Sequence, residues 1–137
     1  MTAPRTDQLE AFLTLLKEEG RRSVLGLDCG TGTEGLRFVR AGIHFTGVDA
    51  SEENIHAARA HGLSASVATG RALPFADAAF AAVWAPDALA ALTPLEQDDA
   101  VRELTRVAGP GAPVAVVFPE WHSHHFSAGF TLLRSPA

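Results

Sequence analysis

The sequence predicts an α/β fold with a doubly wound, mostly parallel sheet. Three observations carry that expectation. Short apolar runs of strand length alternate with helix-patterned segments along most of the chain. A glycine-rich turn, Gly30-x-Gly32-x-x-Gly35, directly follows the first of these runs. An acid, Asp49, ends the second run, about 20 residues beyond the turn. Such alternation implies right-handed crossovers, and sheets of this kind bind ligands at the carboxyl ends of their central strands.

The elements follow in order. Thr6 or Asp7 offers a cap for a first helix, and Glu10 completes a capping box with Asp7. Leu9, Phe12, Leu13 and Leu16 form its apolar face, and Gly20 ends it. SVLGLD, residues 23–28, is a short apolar strand that runs into the turn. A helix over Glu34 to Arg40 comes next, then IHFTGVDA, residues 43–50, as the second strand. SEENIHAARAHG reads as a helix with Ser51 as its cap, acids in its first turn and Gly62 as its stop. SASVAT and FAAVWA read as strands three and four, bridged by the loop GRALPFADAA. Thr93, Pro94 and Glu96 supply a cap, a first helical residue and a capping box for the next helix, which Gly109-Pro110 closes. PVAVVF, residues 113–118, has the unbroken apolar character of a buried parallel strand, and GFTLLRS offers a sixth.

The 137 residues suffice for one core and not for two. They divide into an N-terminal helical segment, 1–22, a central unit, 23–118, and a short C-terminal segment, 119–137. The formal net charge of −5, with Arg21-Arg22 the only close basic pair, argues against a nucleic-acid surface. That pair sits where the first helix ends and is expected to complement its dipole. Cys29 stands alone, which precludes an internal disulfide and fits a cytoplasmic setting. No apolar run approaches a membrane span, and MTAPRTDQLEAF lacks a signal-peptide core.

Two cofactor readings share the glycine turn and Asp49. A dinucleotide brings a pyrophosphate, which wants backbone N–H groups at a helix N-terminus, with the acid on a ribose. S-adenosylmethionine carries no phosphate and needs a glycine turn for its amino-acid part and an acid for its ribose. These two features alone do not separate the readings.

Four segments taken together do more. VLGLDCGTG, FTGVDASEENIHAARA, ALPFADAAFAAVWAPDAL and VRELTRVAGPGAPVAVV resemble, in order and spacing, the motifs of class I S-adenosylmethionine-dependent methyltransferases of the small-molecule type. The resemblance spans Val24 to Phe118. It implies a Rossmann-like fold, S-adenosylmethionine as cofactor and a small-molecule methyl acceptor. It places Asp28, Cys29, Gly30, Gly32, Asp49, Ala50, Thr69, Gly70, Arg71 and Ala85 at the cofactor, with 23–118 as the cofactor-binding core.

The chain departs from the family in its acids. Gly26 stands where the family has the Asp of the first strand, and Asp28 where it has the first glycine of the turn. Thr69 replaces the adenine-contacting Asp, and Ala81 the Asp of the fourth strand. Asp49 alone stands in place. A carboxylate moved from 26 to 28 stays on one strand face; it either keeps a negative group near the methionine ammonium or obstructs the cofactor. These departures support an alternative, a degenerate methyltransferase-like module that serves as a binding or interaction subunit. A nicotinamide oxidoreductase has only the glycine spacing behind it.

Complete family members continue beyond the fifth strand with a helix and an antiparallel strand pair. About twenty residues follow Phe118 here, so the seventh strand is expected to be absent and the fifth to form an exposed apolar edge. Such an edge invites a homodimer or a protein partner.

Methyl transfer draws mainly on proximity and orientation, and a base is needed only for a poorly ionised acceptor. Glu120, His122, His124 and His125, just past the fifth strand, are candidates for that base; their competing reading is a solvated loop. The same cluster raises a metal site, which is not assigned. Asp87, after the fourth strand, lines the acceptor pocket or caps a helix. His44, His56 and His61 read as structural and remote from the cleft. Cys29 reads as a small packed residue because no basic group adjoins it. Trp84 packs in the core or roofs the pocket, and Trp121 is placed to face the acceptor.

Overall fold

The computed structural model describes residues 4–118 and 129–136. Its elements are α1 (Arg5–Glu18), β1 (Ser23–Leu27), α2 (Thr33–Arg40), β2 (His44–Asp49), α3 (Glu52–Ala60), β3 (Ser64–Val67), β4 (Val83–Trp84), α4 (Pro94–Val107), β5 (Pro113–Val116) and β6 (Thr131–Arg134). They build a six-stranded sheet in the order β3-β2-β1-β4-β5-β6. All pairs are parallel except β5 with β6. The predicted doubly wound sheet is therefore the observed one. No described helix is long and apolar enough to cross a membrane.

Side-chain alternation along β1 sorts the core into two layers. Val24 joins α1, α2 and α3 on one face, with Phe12, Phe38, Phe45, Trp84 and Phe130. Leu25 and Leu27 face the other way, against Leu104 and Val107 of α4 and Val114 and Val116 of β5. Trp84 is fully buried, so of its two readings the core is correct.

Two caps appear as expected. Asn54 N–H donates to Ser51 Oγ at the start of α3, and Thr93 and Glu96 form a reciprocal capping box on α4. The first helix corrects its prediction. It begins at Arg5 with Pro4 at the N-cap and no side-chain cap, so neither Thr6 nor Asp7 caps it. Proline's fixed φ presets the entry, and Glu10 turns outward to pair with Arg37 of α2 through two 2.7 Å bonds.

β4 is shorter than FAAVWA. Ala78, at φ +57°, turns the chain, and Gly109 N–H bonds the Phe80 carbonyl at 2.7 Å. Phe80 thus pairs with the loop after α4, leaving only Val83–Trp84 in the ladder. Arg21 also departs from its expected role. It ties that region down by donating to the carbonyls of Ala81 and Gly111 rather than serving only the end of α1.

The largest correction concerns the sheet edge. β6 pairs along β5 from Pro113↔Arg134 to Val116↔Thr131, so β5 is not exposed. Phe130, fully buried, anchors β6 by edge contacts with Phe12 and Trp84 at 6.0 and 5.8 Å. No seventh strand occurs among the described residues. The outer edge belongs to β6, whose Arg134 is engaged with Glu19.

Candidate functional site

The site is built on the turn between β1 and α2. Asp28, at φ +51°, starts the reversal, and Gly30 and Gly32 continue it at +57° and +101°. Left-handed backbone is natural for glycine and is tolerated by Asp among the few others. Gly32 is the N-cap of α2, and a Cβ there would lie 2.4 Å from Leu63 Cδ1, which fixes the helix against the chain after α3. A Cβ on Gly30 would meet no atom within 4 Å, so the turn is open on its outer side.

Asp49, ending β2, holds this turn from below. Its Oδ2 accepts the Gly30 N–H and its Oδ1 the Ser51 N–H, both at 2.9 Å, with Asn54 Nδ2 at 3.4 Å. One side chain therefore joins the glycine turn to the cap of α3. A carboxylate offers about four acceptor positions, which leaves room for a ligand hydroxyl.

Three glycines away from the turn have a common cause. A Cβ on Gly26 would fall 2.4 Å from Phe45 Cε1 and on Gly35 2.6 Å from Phe45 Cε2, while on Gly47 it would fall 2.7 Å from Cys29 Sγ and 2.9 Å from the same ring. The Phe45 ring thus occupies the slot that these glycines leave between β1, β2 and α2. A carboxylate at position 26 has no space, and the negative group at the end of β1 is that of Asp28.

Acids gather around the mouth. Partial withdrawal from water pushes the Asp28 carboxyl up from its ordinary value, and the Asp49 and Asp87 carboxylates add to the shift. Asp87 is not a helix cap, because the chain after β4 is a series of turns. Its carboxylate accepts two bonds from the Arg5 guanidinium, at 3.0 and 2.7 Å. Arg5 also lies 3.8 Å from Glu34, whose other oxygen accepts the Trp84 indole N–H at 3.0 Å. The first turn of α1 is thereby pinned over the ends of β1 and β4.

The other predicted residues scatter. Ala50 and Thr69 are exposed, and Gly70 packs so closely that a Cβ would lie 2.9 Å from Leu27 Cδ2. Arg71 forms an ion pair with Glu96 and is directed at α4 rather than the turn. Ala85 is fully buried, and the residue that this segment presents at the surface is Asp87. Burial, then Asp49, pushes the Cys29 thiol up to about 11, in keeping with a packed and unreactive residue. Glu120, Trp121, His122, His124 and His125 lie outside the described residues. Among the described residues no side-chain cluster is placed to hold a metal ion.

Sequence reasoning missed Arg5, Glu34 and His61. The His61 ring is 3.0 Å from the Thr31 carbonyl, so this histidine touches the turn instead of lying remote from it. No local pattern reveals such distant pairs. Gly26 and Gly47 did carry a signal, since glycine inside a strand marks close approach of another group.

The N–H groups of Cys29, Gly30 and Gly32 all donate within the protein, to Val48 O, Asp49 Oδ2 and Cys29 O. A pyrophosphate would find those amides committed and carboxylates nearby.

Comparison with known proteins gives the family. Residues 24–111 match the family model described as a methyltransferase domain. The chain is similar to the PH0226 protein of Pyrococcus horikoshii, at 30% identity and a TM-score of 0.70 over 82% of this chain and 55% of that one. It is similar to a SAM-dependent methyltransferase of Thermotoga maritima, at 26% identity and a TM-score of 0.65 over 81% and 49%. It also resembles the [4+2]-cyclase SpnF, at 31% identity and a TM-score of 0.63 over 77% and 43%. The chain spans about half the length of the structures it matches. With the family model covering well over half of its residues, from β1 to the approach of β5, the chain belongs to the class I S-adenosylmethionine-dependent methyltransferases.

Proposed function

We propose that this chain binds S-adenosylmethionine in the crevice at the carboxyl ends of β1 and β2, and serves methyl transfer to a small-molecule acceptor. The observation that carries the reading is Asp49, which braces both the glycine turn and the α3 cap while keeping acceptor capacity for ribose hydroxyls. Gly30 leaves the turn open beside it. The cofactor supplies a methyl group on a positively charged sulfur, activated for in-line displacement by an acceptor lone pair.

The chain's own residues bind and orient. In this reading Asp28, Cys29, Gly30 and Gly32 line the amino-acid end, Asp49 and Ala50 the ribose, and Thr69 and Gly70 the base, with Ala85 beneath, while Arg71 stays paired with Glu96. Asp87, held by Arg5, faces the acceptor side. Glu120, His122 and His124 are proposed as acceptor-side bases. A second reading, a module that binds without transferring a methyl group, is favoured by Asp28 at a position with the backbone of a glycine.

Thermal shift with S-adenosylmethionine, S-adenosylhomocysteine and NAD in parallel tests the proposal. A ligand at 100 times its dissociation constant should stabilise by about 2.7 kcal/mol. Stabilisation by both adenosyl compounds and not by NAD is expected. Silence with all three, or a response to NAD alone, contradicts it.

A further inference from the structure

We infer that Arg106, braced by Glu103, is a positioning residue for the proposed site: from α4 it presets the loop after β3 as the wall on the ligand's base. The inference rests on the S-adenosylmethionine reading above, in which Thr69 and Gly70 of that loop meet the base.

Residues 68–82 join β3 to β4 and form neither helix nor ladder strand, only the isolated bridges Thr69↔Ala72 and Phe80↔Ala108. A connection of that length without regular structure is uncommon in a compact domain and marks either a functional or a disordered segment. Here bonds to its surroundings order it. The Ala68 N–H donates to the Asp49 carbonyl at 3.1 Å, and Gly70 lies so close to β1 that a Cβ would fall 2.9 Å from Leu27 Cδ2. The chain then leaves the sheet and is fastened to α4. All five N–H groups of the Arg106 guanidinium are used. Two reach the Glu103 carboxylate, at 2.7 and 3.0 Å. The others reach the carbonyls of Leu73 and Phe75 and the Asp77 carboxylate, at 3.2, 2.9 and 2.8 Å. Glu103 Oε2 also accepts the Leu73 N–H at 2.7 Å, and the Arg106 carbonyl accepts the Ala78 N–H at 2.8 Å.

One side-chain pair therefore holds both backbone groups of Leu73, three residues after Gly70. An ion pair that served stability alone would need only its carboxylate; Arg106 directs three further donors at the loop. Arg71 adds a tie at the near end, because its partner Glu96 is fixed in the α4 capping box. Thus α4 is a splint for the wall, while β1 and β2 carry the glycine turn and Asp49. A loop with no ladder of its own keeps its shape through such bonds. Lysine offers three donors on one nitrogen and cannot span Leu73, Phe75, Asp77 and Glu103 together. Without the planar fork, affinity falls with the fraction of chains whose wall is in place.

Isothermal titration with S-adenosylhomocysteine and with adenosine tests the inference on wild type and Arg106→Lys, at a temperature where circular dichroism shows both folded. We expect both ligands to bind the variant about tenfold more weakly, as for a wall in place about one tenth of the time. Amide exchange on the ligand-free chains should show protection lost at Leu73 and Ala78 in the variant and kept at Cys29 and Ala85. Glu19→Gln, which breaks the pair with Arg134 instead, is the control for stability alone and should bind both ligands as wild type does. Should Arg106→Lys not fold, Glu103→Gln, which keeps an acceptor for the Leu73 N–H, carries the same comparison with a smaller weakening. Wild-type affinity in the variant, with or without loss of protection, overturns the inference and leaves the cofactor reading intact. So does weakening for S-adenosylhomocysteine alone, equal weakening in Glu19→Gln, or weakening with the loop amides still protected. A wild-type chain that binds neither ligand overturns the cofactor reading, and this inference with it.

Discussion

At the scale of residues, Asp28 and Asp49 show how one charge can have opposite consequences. Asp49 is solvated by backbone amides and stabilises what it touches. Asp28 is raised above its ordinary 3.8 by burial first and by neighbouring acids next. A carboxyl whose pKa is raised on folding binds its proton more tightly in the folded chain. Its penalty is therefore absent below about pH 3.8 and fully present above the folded value. Asp28→Asn should melt higher than wild type at pH 7 in the absence of ligand, and the gain should vanish as the pH falls towards 3; a gain that persists at low pH would point to a cause other than charge. Asp49 was legible from its place after a strand, because a sheet of this class puts ligands there. Its second role, bracing Gly30 and Ser51, was not, since nothing in the spacing tells which backbone groups a carboxylate will reach.

At the scale of elements, the Phe45 slot governs how β1, β2 and α2 pack. Gly26 and Gly47 are register partners, and both face the ring of a residue on β2 itself. Gly26→Ala should cost about 1–3 kcal/mol by overpacking. In a Phe45→Leu background, which removes the ring edge, the same substitution should cost much less. Chemical denaturation of the four proteins in a double-mutant cycle reads the coupling; additive effects would mean that the ring moves aside freely. Elements with self-contained signals were legible. The α3 and α4 caps place every partner within four residues, whereas the Glu10 expected to close a box on α1 is drawn to Arg37 across the fold, and α1 begins at Arg5 after Pro4. The shortening of β4 escaped for the same reason, since Phe80 is claimed by the loop after α4.

At the scale of the molecule, the C-terminal strand is tied to the N-terminal helix. Phe130 enters the aromatic cluster with Phe12 and Trp84, and Arg134 bonds Glu19 at the end of α1. The Arg134 guanidinium holds the Glu19 carboxyl down to about 2 from its ordinary 4.5. A depressed acid stabilises above its unfolded value and loses that contribution as the pH falls from about 4.5 to about 2. Glu19→Gln should therefore lower the melting temperature at pH 7, by about 1 kcal/mol or less given the exposure of the pair, and should flatten the acid loss in that window. An unchanged acid profile would show that β6 is held by Phe130 alone. The sheet class and strand sequence were legible because alternation is a property of the whole chain. The pairing of β6 with β5 was not, because a four-residue strand says nothing of its neighbour.

The central claim is that the crevice between β1 and β2 receives an adenosyl ligand with its ribose on Asp49. A crystal structure grown with excess S-adenosylhomocysteine tests it most directly. The account predicts the ribose hydroxyls within hydrogen-bond distance of the Asp49 carboxylate and the ligand's ammonium beside Asp28. An empty crevice, or a ligand bound elsewhere on the chain, would contradict it.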